Sequence, residues 1–196
     1  MKILPILVMS SLLTQGVMAA EEVTSQESEQ AKQEFIMVGN DMNNISRTGA
    51  SYALETIKES GKLAPFALVM NNDGSLGKLE ALAPFVKKAP IGDKINYLRG
   101  QVKNLAENNK IKAGAIFSRG LGRTQMKTEE VAGLIIEQEH IKGASTVQFV
   151  PYENKDGNIV ALEASSKLKP KLFFNDKIDS NETYKKIKQA VAQAEK

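Results

Sequence analysis

The chain has one histidine, and it lies in the tightest group of titratable side chains outside the helical stretches: Glu137, Glu139 and His140. Carboxylates and an imidazole can ligate Zn²⁺ or Ca²⁺, or pass a proton. Successive side chains of a strand alternate in direction. Glu137 and Glu139 therefore share one face and His140 takes the other. A metal would need further ligands, such as Glu153 or Asp156 from the neighbouring strand and turn, and the spacing fits no known ligand motif. The plainer reading is a solvated face of an amphipathic sheet, with His140 structural or solvated. On that reading His140→Ala costs less than about 1 kcal/mol.

Arg119-Gly120-Leu121-Gly122-Arg123 is the second candidate. In a loop, Gly120 and Gly122 let backbone N–H groups turn inward, and Arg119 and Arg123 can fork onto a phosphate or carboxylate. No Gly-Lys-Ser/Thr follows, so it is not a P-loop, and the third glycine of a dinucleotide fingerprint is missing. The alternative is a flexible strand-to-strand loop with solubilising charge. Nucleophilic catalysis has little to work with. There is no Cys. Ser118, Ser145, Ser165 and Ser166 lie near strands, but none sits in a Gly-x-Ser-x-Gly elbow. A triad could use only His140. The chain has no Trp and few aromatics, which disfavours a sugar-binding cleft. No cofactor is called for.

Residues 1–19 read as a secretory signal peptide. Lys2 supplies the positive start, Ile3 to Val8 and Leu12 to Leu13 the apolar run, and Val17-Met18-Ala19 the cleavage site. The apolar run is too short to span about 30 Å of hydrocarbon, and Pro5, Gln15 and Gly16 interrupt it. No stable membrane insertion is expected after cleavage, and the absence of Cys excludes lipid attachment of the bacterial lipoprotein kind. Lys2 is the one charged residue of this segment, so the mature chain falls slightly below the net +3 of the whole. That balance does not mark a nucleic-acid protein. The expected location is periplasmic or secreted.

Residues 20–30 are polar and acidic and read as a flexible lead-in. Residues 31–196 read as one α+β domain. Ala31 to Ser60 carries a helical stripe through Phe35, Val38, Met42, Ile45 and Gly49, as one helix or as two broken around Asn40 to Asn44. Gly61 ends it. Phe66 to Met70 and Leu76 to Leu82 form a hairpin around Asn71-Asn72-Asp73-Gly74. Asp93 caps a second helix to about Glu107. Ile111 to Ser118 is a strand, and Arg119 to Thr128 a polar loop. Val131 to Ile141 and Ala144 to Tyr152 form the central hairpin, and Ile159 to Glu163 returns after a second Asp-Gly turn. Ser165 to Pro170 reads as a loop and Leu172 to Phe174 as a short strand. A last helix follows the capping box Asp179–Glu182, with Tyr184, Ile187, Val191 and Ala194 as its apolar face. Basic residues such as Lys185, Lys186 and Lys188 make this tail locally basic, and it reads as a solvated helix face.

The layout α-β-β-α-β-β-β-(β)-α implies a mainly antiparallel sheet of about five strands with helices packed on it. This order resembles that of roadblock, longin and profilin-like domains. The resemblance implies a non-catalytic binding or dimerising module. A helix of some thirty residues outruns strands of five or six. Phe35, Val38, Met42 and Ile45 are therefore expected to project and pair with a second copy in a homodimer or with another envelope protein. The favoured function is a secreted or periplasmic binding or assembly module; the alternative is a small enzyme or metal-binding protein using Glu137, Glu139 and His140.

Overall fold

Alternating strand positions and a four-three helical stripe divide the apolar residues between the two faces of one sheet. The computed structural model describes residues 13–124 and 127–174, with side chains over 29–123 and 129–174. Helix α1 (Leu13–Ser60) is continuous. It is followed by β1 (Phe66–Asn71), β2 (Leu76–Glu80), the short α2 (Pro84–Lys87) and α3 (Ile91–Glu107). Five strands complete the described chain: β3 (Ile111–Thr124), β4 (Lys127–His140), β5 (Ser145–Lys155), β6 (Asn158–Ala161) and β7 (Ser165–Leu168). The fold is α+β. Its sheet runs β2-β1-β3-β4-β5, and β6 and β7 share the outer edge of β5. Every described pairing is antiparallel.

One face of the sheet carries Phe66, Leu68, Met70, Ala115, Phe117, Leu134 and Ile136, and α1 lies on it through Ile45, Ala53 and Ile57. The opposite face carries Ala67, Val69 and Ile116 under Leu98 and Val102 of α3. Phe173 and Phe174 join that second core. Gly49 is the position that lets α1 approach. A Cβ there would overlap the Phe117 ring, which stacks on Phe66 at 4.8 Å. The stop at Gly61 falls as expected, with φ +69° and an N–H bonded to the Ile57 carbonyl at 2.8 Å.

Several expectations change. The sheet has seven strands rather than about five. Helix α1 does not break at Asn40 to Asn44, because Asn40, Asn43 and Asn44 point to solvent while Val38, Met42 and Ile45 are held in the core. Residues 20–30 are continuous with α1 rather than a separate lead-in. They hold no Gly or Pro and many good helix formers. Asp93 lies in the first turn of α3 without capping it; the cap position is Pro90. The stretch Arg119 to Thr128 is largely strand, because β3 and β4 pair as far as Thr124 opposite Lys127. Ser165 to Leu168 is an edge strand rather than a loop. Leu172 to Phe174 is irregular rather than a strand. The expected last helix, with Asp179 and Tyr184, lies outside the described residues. Among the described residues no helix is long and apolar enough to cross a membrane.

Candidate functional site

The polar end of β4 is largely buried, and its alternation sends Gln138 and His140 to α1 and Glu137 and Glu139 to the opposite face. Glu137 faces α3, where Arg99 Nη2 and Nε donate to its two carboxylate oxygens at 2.6 and 3.2 Å. Gln138 faces α1. It accepts from the Ser46 hydroxyl and donates to Thr146 Oγ1 at 3.2 Å. Glu139 is fully buried on the α3 side. It accepts from Lys169 Nζ at 2.7 Å and from the backbone N–H groups of Leu172, Phe173 and Phe174 at 2.6, 2.8 and 3.4 Å. A carboxylate this deeply buried is tolerated only when paired and hydrogen-bonded, and Glu139 is both. It clips the irregular segment after β7 to the centre of the sheet.

His140 returns to the α1 side at 1% exposure. Its Nε2 lies 3.2 Å from Asp41 Oδ2, and Lys112 Nζ sits 3.0 Å from the same oxygen. Its Nδ1 accepts the Lys142 backbone N–H at 3.0 Å. That bond fixes the proton on Nε2, which donates to Asp41. Burial pushes the imidazole below its ordinary value of 6.5. Asp41 opposes the shift, and the Lys112 and Lys171 charges add to it. His140 is therefore a neutral, doubly satisfied core residue, which corrects both the solvated reading and the small cost expected for His140→Ala. A histidine–aspartate pair can serve a nucleophile only if its other nitrogen is free. Here that nitrogen is occupied by the turn. The three metal candidates are not brought together, since Glu137 and Glu139 face away from His140. Among the described residues no group of three or more His, Asp or Glu is placed to hold a metal ion.

The Arg119–Arg123 stretch is no anion nest, because it is strand. Gly120 and Gly122 sit on the α3 side, where Ile135 and the Phe149 ring occupy the space their side chains would take. Arg119 and the exposed Leu121 share the other face, and the pairing becomes irregular at Arg123. Arg119 Nη1 donates to the Gly61 carbonyl at 3.0 Å and so closes the end of α1.

The helix stripe is also corrected. Val38, Met42 and Ile45 are 2%, 7% and 1% exposed, and Phe35 is half-buried. Long strands and the turn residue Ala144 reach far enough along α1 to cover them. Beside this seam a groove of about 400 Å³ opens between α1 and the β4–β5 side of the sheet. Its lining includes Asn43, Arg47, Thr146, Gln148 and Ser166, of which only Ser166 was weighed from sequence, as a nucleophile and not as part of a groove. The available signal was the alternation of Thr146, Gln148 and Val150 onto the α1 face. A smaller recess of about 290 Å³ lies by Tyr52, Pro65 and Leu82.

No protein-family model, curated protein or solved structure matches the chain.

Proposed function

We propose that the chain is a secreted or periplasmic binding or assembly module without catalytic activity. One observation carries this reading: the side chains best suited to chemistry are engaged inside the fold. Both oxygens of Glu137 and of Glu139, and both ring nitrogens of His140, have intramolecular partners. Among the described residues the open groove beside α1 is lined by amides, hydroxyls, one arginine and apolar groups, with no carboxylate or imidazole to act as an acid–base pair. Such a groove suits recognition rather than bond making. The charged start, the apolar run and Val17-Met18-Ala19 support export, so the mature chain begins at Ala20 or Glu21. Val38, Met42 and Ile45 are core, which counts against a homodimer built on them with Phe35. A protein partner, or a second copy held elsewhere, fits the module reading.

Native mass spectrometry of the protein purified from the envelope fraction tests this. The expected result is a chain starting at Ala20 or Glu21 together with a bound small molecule, a partner or a second copy. A bare monomer that starts at Met1 would contradict it.

A further inference from the structure

We infer that the groove between α1 and the β4–β5–β7 side of the sheet binds a linear carboxylate with an apolar chain, of the fatty-acid class. The inference rests on the binding-module reading and names its ligand. At about 400 Å³ the groove falls in the roughly 300–1,000 Å³ range of ligand pockets. Its floor is apolar: Met42, Ile136 and Ala144 are buried there, and Val150 is partly so. Among the described residues its polar groups are neutral except for Arg47, and no acidic side chain lines it.

Among the described residues Arg47 is the one cation that lines the groove. Arg99, Lys112, Lys142 and Lys169 are paired with Glu137, Asp41, Glu34 and Glu139. Among the described residues Arg47 has no ion-pair partner. It stands on the helix where the groove meets a second recess on the outer surface of α1, formed by Asn40, Asn43, Asn44, Arg47, Thr48 and Ser51. Beside Arg47 that recess offers amides and hydroxyls and, among the described residues, no carboxylate. A ligand laid across this junction meets apolar wall on one side of the guanidinium and neutral hydrogen-bonding groups on the other, which is the polarity of an anionic amphiphile. A guanidinium forks onto a carboxylate with two parallel hydrogen bonds. A polyanion would require more than one cation, and the groove supplies one. A cationic or neutral amphiphile would leave Arg47 unanswered beside a desolvated chain.

Isothermal titration calorimetry on the folded chain decides it, with decanoate and decyltrimethylammonium as probes, both below micelle formation. Decanoate should bind saturably at one site, at least about tenfold more tightly than the cation, the effect of one charge-assisted hydrogen bond. Arg47→Gln, an exposed position whose change leaves the core untouched, should abolish that preference. Ala144→Phe, which fills the floor, should remove binding of both probes; circular dichroism of this variant establishes that it is folded, and Arg47→Gln carries the test if it is not. Equal binding of the two probes, an unchanged preference in Arg47→Gln, or no saturable binding of decanoate would overturn the inference. If decanoate fails to bind while envelope-purified protein still carries a partner mass, the ligand assignment falls and the module reading stands.

Discussion

Adjacent on β4, Glu139 and His140 are buried back to back, and each is satisfied by a different part of the chain. The pH behaviour of His140 follows from its surroundings. Its folded value lies below 6.5, chiefly through burial. Below about pH 6.5 the unfolded chain therefore takes up a proton that the folded chain resists, and stability falls as pH falls, by at most about 1.4 kcal/mol per pH unit from this group. Urea unfolding at about pH 7.5 and about pH 5.5 should show wild type losing more stability than His140→Gln, whose amide can still donate to Asp41 but does not titrate. At one pH, His140→Ala should cost about 2 kcal/mol or more, since it opens a cavity in the core, takes one of two partners from Asp41 and leaves the Lys142 N–H without its acceptor. Tyr152 is the opposite case. Its hydroxyl is buried without a hydrogen-bond partner among the described residues. Tyr152→Phe should leave stability unchanged or raise it by up to about 1 kcal/mol, read as a thermal midpoint that does not fall.

Two glycines of α1 separate helix propensity from packing. Gly39 has open space where a Cβ would be, so Gly39→Ala should stabilise the protein by about 0.5–1 kcal/mol. Gly49 lies against the Phe117 ring, so Gly49→Ala should destabilise by about 1–2 kcal/mol despite the same gain in propensity. Denaturant midpoints of the two variants should move in opposite directions. From sequence both glycines look alike, because the ring that distinguishes them lies far along the chain. The same boundary separates what could be read from what could not. The helical stripe of α1, the Gly61 stop and both Asp-Gly hairpins rest on local spacing, and each was legible. The extension of β3 through Gly120 and Gly122, and of β4 back to Lys127, was not. Glycines read as loop until Ile135 and Phe149 are known to fill the space above them. Strand β7 was missed because Ser165, Ser166 and Lys167 have little strand character of their own; pairing with β5 makes them a strand. The face alternation of Glu137 and His140 was legible, while their partners Arg99, Lys169 and Asp41 were not.

Across the whole molecule, β4 lies within the sheet between β3 and β5, with α1 on one side and α3 and the post-β7 segment on the other. Its four polar residues tie those layers together: Glu137 to α3, Gln138 and His140 to α1, and Glu139 to Lys169 and the backbone of Leu172 to Phe174. What resembles a catalytic cluster in one dimension is a fastening of three layers in three. Recognition is then left to the groove beside α1, outside that fastening. The measurement that bears most directly on this is equilibrium urea unfolding of Glu139→Ala beside wild type. Removing the carboxylate leaves the buried N–H groups of Leu172 and Phe173 without their acceptor and takes the Glu139 ion pair from Lys169. A loss of about 3–5 kcal/mol is predicted, as for breaking a buried ion pair. A change within about 0.5 kcal/mol, the range of an ordinary surface substitution, would contradict it and return Glu139 to the list of residues kept for chemistry.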